Sequence, residues 1–129
     1  MRASTDLSFA GHRGVTYTIT TQGATYANEA IEASLIRELI GGFELDPNDF
    51  IVIDPSVLIE GSSYMQAVPS GDAENGIAVE LRLDHPDGSF KHYSYSTGDV
   101  EEVMTMFLAY WGLQKLPDWT GWRDITDQF

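Results

Sequence analysis

The chain has 129 residues, which suits a single domain (residues 1–129) with one hydrophobic core. It contains no cysteine, and this excludes disulfides, thiolate metal sites and a cysteine nucleophile. Its 20 acidic and 7 basic residues give a formal net charge of -13, which opposes binding to nucleic acid or an anionic membrane and favours a basic protein partner. The alternative, which we favour, is that the acidity only aids solubility. No apolar run is long enough to cross a bilayer, and the first residues lack the apolar core of a signal peptide. We therefore expect a cytoplasmic protein.

The first third of the chain predicts a strand followed by a helix. Residues 1–10 are expected to be a flexible lead-in. VTYTITTQ (residues 15–22) alternates apolar or aromatic residues with threonines, a pattern typical of a half-buried strand. In YANEAIEASLIRELIGGF (residues 26–43), Asn28 is a candidate N-cap, a stripe of isoleucines and leucines follows it, and two glycines end the predicted helix.

The middle of the chain predicts strands and one well-defined hairpin. FIVI (residues 50–53) and YMQAV (residues 64–68) are strand candidates, and PSGDAENG (residues 69–76) has the composition of a loop. IAVELRLDHPDGSFKHYSYS (residues 77–96) predicts a hairpin with a three-residue loop and a bulge at Gly88. Its register pairs His85 with Ser89, Leu83 with Lys91, Leu81 with Tyr93 and Val79 with Tyr95, and on the other face Arg82 with His92 and Glu80 with Ser94.

The last predicted element is a helix over DVEEVMTMFLAYWG (residues 99–112). Asp99 and Glu102 have the spacing of a capping box, and Gly112 is a natural terminator. One broad apolar face comprises Val100, Val103, Met104, Phe107, Leu108 and Trp111. The order of elements predicts an α+β fold: an antiparallel or mixed curved sheet of about five strands with two helices packed on one face.

Glu80, Arg82 and His92 form a candidate polar cluster on the hairpin face that points away from the core. A carboxylate, a guanidinium and an imidazole together can bind an anion or carry out acid–base chemistry. The alternative, which we favour, is a cross-strand charge ladder on a solvated sheet face. Phe90 falls on the same face, where an exposed aromatic ring hints at a binding surface.

All three tryptophans lie in YWGLQKLPDWTGWRDITDQF (residues 110–129). Trp111 continues the helical stripe and is expected in the core, whereas Trp119 and Trp122 would share a face if they lay on one helical turn. Two interpretations stay open: the rings cap the edge of the core, which we favour, or they form a wall for a small apolar or sugar-like ligand. The candidate aromatic pocket or lid comprises Tyr64, Tyr93, Tyr95, Trp111, Trp119 and Trp122.

Four carboxylates surround Pro47: Glu44, Asp46, Asp49 and Asp54. Their spacing is not that of an EF-hand, so we interpret them as solvated turn residues that contribute to an acidic docking patch. The three histidines lack metal-ligand spacing, and no activated nucleophile is recognisable. We therefore predict no metal site, no cofactor and no catalytic residue.

Three functional hypotheses follow, and an enzyme ranks below them. The first is a small acidic protein-binding module, comparable to an immunity protein or an inhibitor, that docks a basic partner through its acidic surface. The second is a small-molecule-binding domain with an aromatic pocket. The third is a structural subunit that forms a homodimer or a larger homo-oligomer through an exposed strand edge.

Overall fold

The computed structural model describes residues 14–46, 48–69 and 76–129, which form one open, curved antiparallel sheet with two α-helices on one face. The strands are β1 Tyr17–Thr21, β2 Thr25–Tyr26, β3 Ile51–Pro55, β4 Ser62–Pro69, β5 Ile77–Asp84, β6 Phe90–Thr97 and β7 Arg123–Asp124. The helices are α1 Ala33–Gly41 and α2 Val100–Gly112, and 3-10 turns lie at Asn28–Ala30, Gly42–Glu44 and Thr126–Gln128. The sheet order is β2-β1-β3-β4-β5-β6-β7.

The predicted α+β class is confirmed, but the sheet has seven strands rather than about five. The two outermost strands, β2 and β7, have 2 residues each, too few to produce an alternating pattern in the sequence. The flexible lead-in predicted for residues 1–10 and most of the predicted loop 69–76 lie outside the described residues. Neither described helix is long and apolar enough to cross a membrane.

The β5–β6 hairpin has the predicted register. Leu81 lies opposite Tyr93, and Arg82 lies opposite His92. The loop is closed by the His85 N–H, which donates to the Ser89 carbonyl at 2.9 Å. Gly88 has a φ of 90°, the left-handed conformation that the predicted three-residue loop requires and that glycine adopts without strain.

The core lies between one face of the sheet and the inner sides of both helices. Its largest fully buried side chains are Trp111, Tyr17, Tyr110, Phe107, Ile19, Ile36, Ile40, Ile51, Ile53, Met65 and Leu81. The buried phenols are hydrogen-bonded: Tyr17 Oη donates to the Tyr110 carbonyl at 3.2 Å, and Tyr110 Oη lies 2.9 Å from Ser62 Oγ. Burial raises the pKa of Tyr17 to about 12 and raises that of Tyr110. Both phenols are therefore uncharged at neutral pH.

Helix α1 begins later than predicted, because Asn28 is not its N-cap. The Asn28 Oδ1 accepts a hydrogen bond from the Tyr17 N–H at 2.9 Å, which ties the 3-10 turn Asn28–Ala30 to β1. The α-helix starts at Ala33, preceded by Glu32, which makes no side-chain cap. It ends at Gly41, as the sequence predicts.

Asp99 caps α2 as predicted. Its Oδ1 accepts hydrogen bonds from the N–H groups of Glu101 at 3.0 Å and Glu102 at 3.2 Å. The Glu102 carboxylate does not complete the capping box but accepts from Tyr95 Oη and Thr97 Oγ1, both at 2.8 Å. These bonds join the first turn of α2 to β6.

Removing the cap of α2 should destabilise the fold measurably. We expect Asp99→Ala to lower the free energy of unfolding by about 1 kcal/mol, because two N–H groups of the first turn lose their acceptor. Asp99→Asn keeps an acceptor and should stay within about 0.3 kcal/mol of the parent chain. Urea denaturation followed by circular dichroism measures both variants. Equal losses in the two variants would show that charge, rather than the capping hydrogen bonds, is what matters.

Candidate functional site

The predicted polar cluster lies on the sheet face opposite the helices, and it consists of two separate pairs. His92 Nε2 and Glu80 Oε1 are 2.8 Å apart, and the His92 side chain is 0% exposed. Arg82 turns away from His92, and its Nε donates to Asp84 Oδ1 at 3.0 Å. A solvated charge ladder was expected here, but at His92 the structure has a buried pair instead.

The closing segment of the chain, residues 116–129, covers His92. The Phe129 ring stacks on the imidazole with 4.1 Å between centroids, and the Tyr64 ring meets it edge-on at 5.8 Å. The backbone of His92 is also held, since its N–H donates to Thr126 Oγ1 at 3.0 Å and its carbonyl accepts from the Ile125 N–H at 2.8 Å. The burial of His92 therefore depends on a part of the chain more than 30 residues away.

The Arg82–Asp84 pair beside it is packed against an aromatic ring. The Arg82 guanidinium lies 4.0 Å from the centre of the Phe90 ring, within range of a cation–π interaction. A hydrogen bond from Ser63, with a smaller contribution from Arg82, lowers the pKa of Asp84 despite its partial desolvation. Burial raises the pKa of Tyr64, although Arg82 acts in the opposite direction. Phe90, expected to be exposed, is thus half-buried under Arg82.

The Glu80–His92 pair resembles the carboxylate–imidazole part of a catalytic acid–base group. The carboxylate favours the imidazole tautomer with its proton on Nε2, which leaves the Nδ1 lone pair available. Nδ1 is, however, buried and has no hydrogen-bond partner among the residues that the structure describes. In the described part of the chain no three His, Asp or Glu side chains are grouped to hold a metal ion. In this conformation Phe129 and Tyr64 cover His92, whereas the Glu80 side chain is 20% exposed.

The tryptophans of the closing segment stack on β6, on the helix side of the sheet. The centroids of Trp119 and Tyr93 are 4.7 Å apart, and those of Trp122 and Tyr95 are 5.2 Å apart. Residues 119–122 form a β-turn rather than the helical turn considered from the sequence: the Trp122 N–H donates to the Trp119 carbonyl at 3.0 Å, and Gly121 has a φ of 85°. The rings still share a side, because tyrosines two residues apart on a strand point the same way.

The six predicted aromatic residues do not line one pocket. Tyr64 is on the opposite face of the sheet from the two stacked pairs, and Trp111 is 0% exposed in the core, as predicted. Trp119 and Trp122 are half-buried, and each borders an open groove, of ≈400 and ≈380 Å³ respectively. These two tryptophans therefore cap the sheet edge and also border surface grooves.

Of the four acidic residues predicted to contribute to a patch, Asp54 lies apart from Asp46 and Asp49. Asp46 and Asp49 accept hydrogen bonds from nearby backbone N–H groups, as turn-forming residues do. Asp54 lies on the face of β3 opposite the helices, five residues and therefore roughly 16 Å along the extended chain from Asp49. Burial raises the pKa of Asp54. The side chain of Glu44 is not among those that the structure describes.

A surface that the sequence analysis missed lies on the solvent side of α2. All but four of the 13 residues of this helix are apolar or aromatic, and three of those that are only partly buried, Val100, Met106 and Leu108, still pack against the core. Tyr110, left out of the predicted stripe, is fully buried, whereas Leu108, assigned to that stripe, is half-exposed. We define the outer face of α2 by five residues: Thr105, Met106, Leu108, Ala109 and Leu113.

Two grooves run along the outer face of α2. The larger has a volume of ≈510 Å³ and is lined by Asp99, Glu101, Glu102, Thr105, Met106, Ala109, Pro117 and Asp118. The smaller, of ≈170 Å³, is lined by Thr105, Leu108, Ala109 and Leu113. Both floors are largely apolar, and the carboxylates of the larger groove lie at the first turn of α2 and on the facing segment.

The carboxylates of the larger groove are held in place by neighbouring groups. Hydrogen bonds from Thr120 lower the pKa of Asp118. Glu101 lies 3.4 Å from Arg37 in an exposed ion pair, which contributes little to stability. Glu102 binds Tyr95 and raises the pKa of that phenol. The groove therefore combines an apolar floor with fixed negative charge.

The signal that could have revealed this surface is the composition of α2. A helix that packs one side on a sheet needs apolar residues over roughly half its circumference. The sequence has a second row of small or apolar residues at Thr105, Ala109 and Leu113, spaced by four, with Leu113 just past the last residue of the helix. Comparisons with protein-family models, with curated proteins and with solved structures found no match to this chain.

The Glu80–His92 pair should be structurally important. We expect Glu80→Ala to lower the free energy of unfolding by about 1–3 kcal/mol, because the buried imidazole loses the carboxylate that its Nε2 contacts. Glu80→Gln retains a hydrogen-bond acceptor, so its free energy of unfolding should fall by less than that of Glu80→Ala. Glu38→Ala, which removes an exposed carboxylate from α1, is the control and should stay within about 0.5 kcal/mol of the parent chain. A loss no greater than that of Glu38→Ala would contradict the assignment.

Phe129 should control chemical access to His92. In the parent chain we expect diethylpyrocarbonate to modify the exposed His85 and to leave His92 largely unmodified. Phe129→Ala should raise the modification rate of His92 and leave that of His85 unchanged, since one face of the imidazole is uncovered. Peptide mass spectrometry after timed exposure gives both rates from one sample. If His92 reacts as fast as His85 in the parent chain, Phe129 is not its cover.

Proposed function

We propose that this chain is a protein-binding module that docks a basic partner on the outer face of α2. The observation that carries the proposal is the pair of grooves there, with apolar floors and a carboxylate rim. Docking on this face would bury apolar surface and pair the rim with cations. The partners in this class include basic enzymes that an inhibitor or immunity protein would neutralise.

The apolar composition of α2 supports a macromolecular partner. A helix that is apolar around most of its circumference is normally covered on all sides. Here one side packs on the sheet while Leu113 on the other is 49% exposed and Met106, Leu108 and Ala109 are partly exposed. The grooves are shallow and open, and their shape suits a protein surface better than an enclosed small molecule.

The charge of the chain supports a basic partner over a second copy. The net charge of -13 repels another identical chain at long range and accelerates encounter with a cationic one. The rim adds local complementarity, because Asp99, Glu101, Glu102 and Asp118 all border the larger groove. The ion pair of Glu101 with Arg37 is exposed, so a partner's cation can replace it at small cost.

The closing segment extends the same surface. Pro117 and Asp118 form the far wall of the larger groove, and Trp119 borders the next groove beyond them. Half-exposed tryptophans on a rigid support are frequent anchors of protein interfaces. The Trp119 ring is supported from behind by Tyr93, so it needs no further ordering on binding.

One pair of substitutions tests the docking surface. Leu113→Lys places a cation on the outer face of α2, and Leu45→Lys makes the same change at a leucine that is 90% exposed outside that face. A basic protein retained by the immobilised parent chain, then produced pure, would be titrated calorimetrically with all three chains. We expect Leu113→Lys to weaken binding by about tenfold or more and Leu45→Lys by about twofold at most.

The control separates the docking face from overall charge, because both variants have the same net charge. The affinity of the parent chain should fall as salt is raised, as ionic contacts require. Equal weakening by both variants would contradict the proposed face. Retention of only neutral or acidic proteins, or self-association of the chain with no basic partner, would contradict the proposed function.

A further inference from the structure

We infer that the partner presents an amphipathic helix that lies antiparallel to α2, with its basic residues in its last turn. This inference rests on the proposed function, because it concerns the same face of α2. It specifies the secondary structure, the length and the direction of the docked segment. Each of these follows from a separate feature of the face.

The floor of the face favours a helix over an extended strand. Thr105, Ala109 and Leu113 follow one another at intervals of four and form a row along α2, flanked by Met106 and Leu108. The small Thr105 and Ala109 side chains let a second helix approach closely and fit its own ridge between the flanking residues, and Leu113 offers an apolar contact at the end of the row. An amphipathic helix lays its apolar side into this kind of groove.

The face offers nothing for an extended strand to pair with. Strand addition needs unpaired N–H and C=O groups at a sheet edge, whereas those of α2 are bonded within the helix. The Thr105 hydroxyl is also occupied, since it donates to the Glu101 carbonyl at 2.9 Å. A partner segment must therefore satisfy its own backbone, and a helix does so.

The length of α2 sets the length of its partner. From Asp99 to Leu113 the helix axis spans roughly 21 Å, so a helix of about 14 residues covers the face from end to end. A shorter segment would leave either the acidic end or the Leu113 end uncovered. A segment of this length carries two apolar residues per turn along its docked side.

The distribution of charge along α2 sets the direction. Asp99, Glu101 and Glu102 lie at its first turn, and the exposed Lys115 lies just beyond its last. The basic end of the partner helix must therefore lie over the first turn of α2. The carboxylate of Glu60 does not border the larger groove. It accepts a hydrogen bond from the Leu116 N–H at 3.0 Å and borders the groove at Trp119.

Helix dipoles favour the same direction. Lys and Arg are most favourable in the last turn of a helix, next to its exposed carbonyls. Placing that turn over the first turn of α2 brings the negative end of one dipole to the positive end of the other. Side-chain charge and backbone dipole therefore agree on an antiparallel arrangement.

The larger groove accommodates the basic side chains themselves. Its floor at Met106, Ala109 and Pro117 suits the aliphatic stem of Lys or Arg, while Glu102 and Asp118 border it. Long basic side chains commonly bury their stems on apolar surface and keep their charge at a polar rim. One such side chain from the last turn of the partner helix would occupy this groove.

Three synthetic peptides of about 14 residues test the inference. The first has leucines at helical spacing and lysines only in its last turn, and the second has the same composition with the lysines moved to the first turn. The third is the first peptide with a central residue replaced by proline, which breaks a helix. Each is titrated into the parent chain and into Leu113→Lys, with amide chemical shifts and fluorescence anisotropy as readouts.

The first peptide should bind the parent chain and shift the amides of Thr105, Ala109 and Leu113. We expect the second peptide to bind at least about threefold more weakly than the first, which is the scale of a helix-dipole and charge mismatch. The affinity of the third peptide should be at least about tenfold lower than that of the first. Leu113→Lys should lower the affinity of the chain for the first peptide by a similar factor of about ten. Leu45→Lys, the control, should leave its affinity unchanged.

The outcomes separate the inference from the proposed function. If the second peptide binds as tightly as the first, the antiparallel direction is wrong. If the proline peptide binds as tightly, the docked segment is not a helix, although docking of a basic segment stands. If all three bind the parent chain and Leu113→Lys equally, or none binds either chain, the inference and the proposed docking face both fail.

Discussion

The register of the antiparallel β5–β6 pair decides which side chains face the core and which face away from it. Side chains alternate between the faces of a strand, so a slip of one residue would exchange the buried set for the polar set. With Leu81 opposite Tyr93, one face receives the core and both helices. The other face therefore receives Arg82 and His92, which find their partners there because neither described α-helix covers them.

The closing segment packs on the side chains that this pairing places on both faces of β6. It passes along β6 and contacts both of its faces, with Trp119 and Trp122 stacked on the helix side and Phe129 stacked on His92 on the other. The same segment covers a polar face that the helices leave open and borders three surface grooves. Stability and the proposed docking surface therefore share one stretch of chain.

Helix α2 leaves part of its apolar surface exposed to solvent, at Ala109 and along the edges of Met106 and Leu108, and Leu113 just beyond it is 49% exposed. Its inner side supplies Phe107, Tyr110 and Trp111 to the core, and its first turn is tied to β6 through Glu102. The exposed part lies on the solvent side, next to a fixed set of carboxylates. Exposed apolar surface beside charge of one sign is unfavourable for the isolated chain and favourable in a complex with a basic partner, and this asymmetry is the physical basis of the proposed function.

The sequence by itself determined whatever depends on local chemistry and short spacings. It specified β1 through alternation, the β5–β6 register through the turn at His85–Gly88, the cap of α2 at Asp99 and the burial of Trp111. Only the tertiary structure decided the rest: the pairing of Asn28 with β1, the stacking of Phe129 on His92 and the exposure of the outer face of α2. These features join residues distant along the chain, or depend on which side of a helix another element happens to cover. Neither periodicity nor propensity contains that information, because both describe a residue only through its neighbours in sequence.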